Sequence, residues 1–566
     1  MVGVVDVEGF YQGLAAQGLG YAGPFQAVVG IAEDPADPDT VVAEIALPAD
    51  TDVTGYGIHP ALLDAALHPL STLSTPDPTG PRLPFALTGI TLHATAATHL
   101  HVRLTRTSTD TYTLHASDPT GAPVITVSTV MLRALSDTPT PQPTLVRDGL
   151  FGLHWPALPA DTFPPAHPAP SWALITPDPT HLPPELHHLP TYPDLTHPDL
   201  ATADLVIWTL PTPTSDDTPL DQVHQLTTHT LAQLQHWLTR PDTLHTHLAI
   251  LTHHAITTDP HDPTPNLAHA ATWALIHTTQ NEHPTRITAL DTDHTPTPLL
   301  THILAALPHS EPQLALRQHH AHTPRLTPVT ATPGPAPVWD PEGTVLITGG
   351  TGMLGALFAE HLITNHGMRH LLLVSRRGPA TPGADELTQR LTKLGAQLTI
   401  TACDTSNPAE LAAVLEAIPD QHRLTAIIHA AGVLDDAVVT ELTANQLHTV
   451  LAAKADAAWH LHHLTADRDL AAFVLFSSAS ATLGNPGQAN YAAANAVLDA
   501  LAHHRPEATS LAWGYWQSPS GMTAHLNNVD QARVTRTAWN PITPDHGLAL
   551  FDTALTTPTP PCSRPH

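Results

Sequence analysis

The sequence predicts an α/β protein whose last block is a doubly wound parallel sheet, and three observations predict it. Between residues 340 and 560, short apolar runs alternate with helical stretches of ordinary length. The first of these runs passes at once into a glycine-rich turn that opens a helix, the context that gives such a turn meaning. Two Pro/Thr-rich stretches, Ser136–Thr144 and Thr327–Glu342, set this block apart from two others. Proline removes a donor and favours extended chain, so both stretches read as linkers. The division is 1–135, a linker at 136–147, 148–330 and 340–560.

The totals agree with several domains. The chain has 566 residues, enough for three or four cores. It carries 51 Asp+Glu against 21 Lys+Arg, a formal charge of -30, which opposes binding to nucleic acid or an anionic membrane. Cys403 and Cys562 are its two cysteines, so no disulfide framework is expected and a reducing cytoplasm fits. No apolar run reaches the roughly 18 residues of a membrane span. Met1–Gln12 has no signal-peptide pattern. The 43 histidines are scattered among Thr and Pro without ligand spacing, so no metal site is expected.

Each block has its own rhythm. In the first, Leu100–Leu104 and Val124–Leu132 alternate like strands and Ala61–Leu70 reads as a helical turn, giving an α+β unit with one antiparallel sheet. In the middle, Trp172–Ile175, Leu205–Leu210 and Leu248–Leu251 read as strands around an amphipathic Val223–Leu238. That block lacks a glycine turn after its first strand, so it is Rossmann-like in shape without holding a dinucleotide. In the third, strands are expected at Thr344–Thr348, His370–Val374, Gln397–Thr401, Ala426–His429, Phe473–Phe476 and Ser510–Trp513, with helices at Leu354–Asn365 and Ala409–Ala417.

Thr348-Gly349-Gly350-Thr351-Gly352-Met353-Leu354-Gly355 follows the first of these strands. Glycines let the backbone approach a pyrophosphate, and a helix N-terminus offers it free N–H groups. The second strand ends in Ser375-Arg376-Arg377 rather than in the acid that would bind a ribose 2′-hydroxyl. Two guanidinium groups suit a 2′-phosphate, so NADPH is the expected cofactor. Asp404, past the third strand, is placed either to accept from the adenine amino group or to cap a turn.

Ser478 lies thirteen residues before Tyr491 in FSSASATLGNPGQANYAAAN. One hydroxyl ends a strand and the other begins a helix, so both can reach a single substrate oxygen. Ketone reduction needs a hydride and a proton, and a tyrosine needs a nearby cation to act as acid at neutral pH. Short-chain dehydrogenases usually place a lysine four residues on, where this chain has Asn495. Lys454, in LAAKADAAWHL, is the only lysine after Lys393.

With these residues in hand, TGGTGMLG, SRRG, HAAGVLDD, LAAKADAAWHL, FSSASATLGNPGQANYAAANAVLDAL and SLAWGYW resemble the ketoreductase domains of modular type I polyketide synthases. In that family the lysine and asparagine have exchanged places. The resemblance implies a tetrad of Ser478, Tyr491, Lys454 and Asn495, with Ala430, Ala431 and Gly432 beside the cofactor. It also implies a partner, the phosphopantetheine-borne β-ketoacyl chain of an acyl carrier protein, alongside other synthase domains. Leu434-Asp435-Asp436 marks B-type reductases, which guide the acyl arm in from one side and give the D-configured β-hydroxyl. Leu483 stands where the A-type tryptophan would be, and Gln488 and Ala493 differ from residues linked with epimerising variants.

The middle block is similar to the family's structural subdomain, through DGLFGLHWPAL, AATWALIHTTQNEHP and EPQLALRQ. The first block resembles the second hot-dog half of a dehydratase, through HPALLDAALH, with Asp64 as acid and His68 beside it. Its FYQGLAAQGLGYAGPFQAV departs from the usual YGPxF order, and no His-x-x-x-Gly-x-x-x-x-Pro precedes Asp64. That leaves Asp64 and His68 vestigial, with dehydratase activity not expected. The missing first hot dog and the closing PPCSRPH together suggest a chain truncated at both ends. The alternative to an active reductase is therefore a catalytically silent remnant.

Overall fold

A computed structural model of the chain describes residues 4–16, 19–34, 37–49, 51–73, 82–108, 110–134, 149–159, 161–169, 171–211, 217–259, 261–309, 311–329, 336–517 and 541–556. The linker at 136–147, Cys562 and the closing PPCSRPH lie outside the described residues. The chain divides into two compact units, Met1–Pro143 and Thr144–His566.

The first unit is a single antiparallel sheet around a short helical axis. Its strands are β1 (Val4–Val5), β2 (Val28–Glu33), β3 (Thr40–Ala46), β4 (Arg82–Leu92), β5 (His99–Ser108), β6 (Thr111–Ser117) and β7 (Pro123–Ala134), in the order β1-β2-β3-β5-β6-β7-β4. Helix α1 (Val7–Ala16) precedes β2, and α2 (Pro60–Ala65) and α3 (Leu70–Leu73) follow β3. The alternation of β5 is strict: Leu100, Val102 and Leu104 point into the core, where Leu62, Ala65 and Leu70 meet them. The helical turn expected over Ala61–Leu70 is split in two. Pro69 cannot donate to the preceding turn, so α2 stops at Ala65 and α3 starts after the proline.

The described residues of the second unit form two six-stranded sheets and a ribbon. The ribbon pairs β8 (Phe151–His154) with β15 (Arg325–Pro328) in antiparallel fashion. Thr327 and Pro328 therefore belong to a strand rather than to the linker expected there. The first large sheet comprises β9 (Trp172–Ile175), β10 (Leu205–Thr209), β11 (His247–His253), β12 (Ile287–Thr292), β13 (Gln313–Arg317) and β14 (His320–His322). Its order, β14-β13-β12-β11-β10-β9, never reverses. It thus lacks the switch point at which open α/β sheets bind nucleotides. Its helices are α4 (Pro219–Thr239), α5 (Leu267–Glu282) and α6 (Pro298–Ala305).

The second large sheet comprises β16 (Thr344–Thr348), β17 (His370–Ser375), β18 (Gln397–Ala402), β19 (Leu424–His429), β20 (Ala472–Ser478) and β21 (Ala508–Trp513). Its order, β18-β17-β16-β19-β20-β21, with every pair parallel, is the doubly wound arrangement with a reversal between β16 and β19. Its helices are α7 (Met353–His366), α8 (Ala384–Lys393), α9 (Pro408–Glu416), α10 (Ala444–Leu451), α11 (Ala457–Leu464), α12 (Ala479–Leu483), α13 (Ala489–Ala502) and α14 (Pro544–Thr556).

Helix α5 ties the two sheets together. Nearly every residue from Leu267 to Gln280 is buried, the pattern of a helix covered on all sides. It packs along α13, and one continuous apolar core includes Trp273 and Ile276 of α5 with Val497 and Leu498 of α13.

Candidate active site

The glycine turn after β16 is shaped by close backbone approaches. Gly349 has φ +64, and a Cβ there would lie 2.9 Å from the Ala431 backbone. A Cβ on Gly350 would lie 2.7 Å from that of Leu373. A Cβ on Gly355 would lie 2.4 Å from the Gly349 carbonyl and 2.5 Å from the Gly350 Cα. Gly352, at the mouth of the turn, is exposed. Gly352 caps α7 without any side-chain bond, so the amides of its first turn, at Met353 and Leu354, face outward with the positive end of the helix dipole. Thr351 is half-buried beside them. A cradle closed toward the sheet and lined with free amides fits a dinucleotide pyrophosphate. Gly355→Ala should lower the melting temperature by an amount equivalent to about 1–3 kcal/mol, as overpacking does, and weaken cofactor binding in a fluorescence titration.

Arg376 and Arg377 follow β17 and are exposed. Asp404 is engaged locally, its Oδ1 accepting from the Ser406 amide (3.0 Å) and hydroxyl (2.7 Å). This is the turn-capping alternative.

Across the switch point, β19 delivers Ala430, Ala431 and Gly432. The amide of Ala431 donates to Thr348 Oγ1 (3.2 Å), and that hydroxyl is bonded to His429 Nδ1 (2.7 Å). The other ring nitrogen of His429 donates to the Lys454 carbonyl (3.1 Å). Burial holds the His429 pKa at about 3, so the ring is neutral and can accept at Nδ1. This chain of bonds, from glycine turn to lysine-bearing helix, escaped the sequence reading, which saw His429 only as part of HAAG.

Lys454 sits in a π-helical turn, Ala452–Asp456, between α10 and α11. A Cβ on Gly432 would lie 2.8 Å from Lys454 Cε, so the glycine leaves room for the lysine stem. The ammonium donates to the Phe476 carbonyl (2.7 Å) and lies 5.4 Å from the centroid of the Tyr491 ring. Ser478 ends β20, and its hydroxyl accepts from the Ser480 amide (3.2 Å). Tyr491 opens α13. One turn on, Asn495 is fully buried, its Nδ2 donating to the Tyr491 carbonyl (2.8 Å). Its Oδ1 is buried with no hydrogen-bond partner among the described residues, so it is available to an incoming donor. The four residues expected from the sequence therefore meet beside the glycine turn.

Their electrostatics differ from expectation in one respect. The sequence reading has Lys454 depress the Tyr491 hydroxyl. Burial instead pushes Tyr491 above its ordinary value, with Asn495 and Ser478 pulling the other way. Burial also lowers Lys454 to about 7, opposed by the Asp499 carboxylate. For each group the loss of water outweighs the contacts that favour its charged form.

Leu434-Asp435-Asp436 borders the same space. Asp435 Oδ1 accepts from Gln446 Nε2 (2.9 Å), and its carbonyl accepts from Asn490 Nδ2 (2.7 Å). Asp436 Oδ2 accepts from Gln488 Nε2 (2.8 Å). The loop is thus fastened to the residues just before Tyr491.

In the first unit, His68 Nε2 bonds to Asp64 Oδ2 (3.0 Å) across one turn. Tyr11 OH is bonded to His68 Nδ1 (3.3 Å), and the Tyr21 ring lies 3.9 Å from that of His68. In the sequence both tyrosines belong to the FYQGLAAQGLGYAGPFQAV motif, and nothing in their spacing points to His68. Two histidine–carboxylate groups of the second unit, Glu342–His370–His422 and His361–His366–Asp552, include none of the site residues named above. Among the described residues no helix is long and apolar enough to cross a membrane.

Comparison with known proteins matches the architecture block by block. Residues 343–518 match the "KR domain" family, 153–326 the "Polyketide synthase extender module SpnB, Rossmann fold domain", and 2–142 the "Polyketide synthase dehydratase N-terminal domain". A solved structure described as "Structure of A-type Ketoreductases from Modular Polyketide Synthase" is 33% identical, with a TM-score of 0.63 over 72% of this chain and 90% of that one. The chain belongs to the modular polyketide synthase family. Its second unit is a ketoreductase of the short-chain dehydrogenase type, whose Rossmann-type sheet implies a nicotinamide cofactor.

Among curated polyketide synthases, the spectinabilin polyketide synthase system protein NorA' of Streptomyces orinoci is 39% identical over 97% of this chain. The polyketide synthase GfsA of Streptomyces halstedii is 38% identical over 98%. The chain spans only 16% and 7% of their lengths. Mycoketide-CoA synthase of Mycobacterium tuberculosis is 53% identical over 38% of the chain.

Proposed function

We propose that the second unit reduces a β-ketoacyl thioester, carried on the phosphopantetheine arm of an acyl carrier protein, to the β-hydroxyacyl thioester with NADPH. The observation that carries this reading is the meeting of Tyr491, Ser478, Asn495 and Lys454 beside the glycine cradle. The bound dinucleotide would supply the hydride, held by the turn from Thr348 to Gly355 with Arg376 and Arg377 on its 2′-phosphate. Tyr491 protonates the ketone oxygen. Ser478, released from Ser480, donates a second hydrogen bond to it. Asn495 presents its free Oδ1 to an ordered donor behind the tyrosine, and Lys454 stabilises the tyrosinate as the proton leaves.

Leu434, Asp435 and Asp436 form the wall along which the acyl arm enters, and the reading as a B-type, non-epimerising reductase rests on them. Structures described as A-type share this fold, so the fold itself does not carry that assignment. We place the domain limits at 1–135, 148–330 and 340–560. We read the first block as a second hot-dog half because of its Asp64-bearing helix, although the matching family's description names an N-terminal domain. Asp64 and His68 bond each other and supply only one side of the acid–base pair that dehydration needs, so no dehydratase activity is expected from this block.

The pH profile of reduction tests the assigned roles. Lys454 must carry its proton to stabilise the tyrosinate, and it loses that proton above about pH 7. Reduction of a β-ketoacyl thioester should fall by about tenfold per pH unit above that point, and Lys454→Met should be slow and flat across it. A wild-type profile that rises through pH 7 would overturn the role given to Lys454.

A further inference from the structure

Helix α5 ends on a residue whose charge is badly placed for a helix and well placed for the site. A carboxylate in a last turn opposes the helix dipole, yet Glu282 closes α5. Its compensation comes from across the domain. Oε2 accepts from the Val439 amide (2.7 Å) and Oε1 from the Gly487 amide (2.8 Å). One carboxylate thus joins the loop after Leu434-Asp435-Asp436 to the loop before Tyr491. Asn281 adds a second tie, its Nδ2 donating to the carbonyls of Leu483 (2.7 Å) and Gly484 (2.9 Å). The approach is tight: Gly484 has φ +65, and a Cβ on it would lie 2.6 Å from Asn281 Nδ2. The two loops also bond each other, the Ala437 amide to the Gly487 carbonyl (2.9 Å) and Gln488 to Asp436 (2.8 Å).

We propose that Glu282 is a positioning residue for substrate orientation. From the sheet that holds no nucleotide, it sets the spacing between the Asp435–Asp436 wall and Tyr491. The middle block then does more than support the catalytic sheet, because it fixes the width and slant of the channel through which the thioester enters. This inference rests on the reading of that wall given above.

Glu282→Gln keeps the size but presents an amide N–H to one of the two backbone donors, and Glu282→Ala removes both acceptors. Neither touches the glycine turn, so NADPH affinity should stay at the wild-type value. Hydrogen exchange in the peptides holding Val439 and Gly487 should quicken by about ten- to a hundredfold, the range for losing a bond to a charged acceptor. With a β-ketoacyl thioester, KM should rise more than kcat falls, and the single β-hydroxy configuration of the wild type should become a mixture.

Unchanged exchange at both amides in a folded Glu282→Ala protein would overturn the positioning role whether or not the chain turns over. Faster exchange with KM and product configuration unaltered would overturn its bearing on orientation. If the wild type itself shows no turnover, the assigned reaction fails, and the exchange measurement still decides whether Glu282 fixes the two loops.

Discussion

Replacing Tyr491 by phenylalanine should lower turnover of a β-ketoacyl thioester by about 10²- to 10⁴-fold, the range for losing a positioned general acid. NADPH binding should stay intact. The ring packs within a helix whose neighbours are buried, and phenylalanine fills the same space. What is lost is the one hydroxyl that stands beside Asn495 and Ser478 over the lysine-bearing turn. Burial keeps that hydroxyl protonated at neutral pH, which is the state a reductase needs before transfer. Ser478→Ala should cost less, since serine donates a bond without giving up its proton. Single-turnover absorbance of the reduced cofactor measures both. Equal turnover in wild type and Tyr491→Phe would remove the tyrosine from the proposed chemistry.

The second large effect is on stability in acid. His253, His269 and His429 are buried, and burial lowers their pKa values to about 3, about 4 and about 3. His253 stacks on His294 with ring centroids 3.8 Å apart, so a charge on either ring would repel the other. Each folded-state value lies below the unfolded one near 6.5, so the unfolded chain takes up the proton first. Their stabilising contribution is complete above that value and declines as pH falls below it. At about pH 5 each ring costs about 2 kcal/mol, and the three together about 6 kcal/mol, comparable with the whole stability of many domains. Asp499 acts the other way. Burial raises its carboxyl to about 6, so its protonation in the fold returns about 1 kcal/mol over the same range. The urea midpoint of the second unit should therefore drop sharply between neutral pH and about pH 5. A midpoint that holds constant would mean that these rings are not buried in the neutral form.

The doubly wound sheet was legible because parallel strands buried on both faces read as unbroken apolar runs. Thr344–Thr348 and Trp172–Ile175 match the strands to the residue. Edge strand β18, whose residues are half-buried or exposed, was legible mainly through its place in the alternation. The tetrad was legible for a different reason. Lysine is so scarce here that Lys454 stood out, and the family resemblance supplied the exchange with Asn495. Its π-helical turn was not legible, since nothing in AAKAD distinguishes a wide turn from an ordinary one. His429 and Glu282 act through backbone atoms 25 or more positions away, and such partners leave no mark on local spacing. The histidine–carboxylate group of His361, His366 and Asp552 was hidden likewise, because α14 brings in the carboxylate from 186 residues on.

The central claim is most directly tested by following NADPH oxidation by the intact chain with a β-ketoacyl thioester and identifying the product. The account predicts turnover, a preference for NADPH over NADH that Arg376→Ala and Arg377→Ala together abolish, and a β-hydroxyacyl thioester of one configuration. A folded chain that binds NADPH and is given substrate, yet yields no β-hydroxy product, would contradict it.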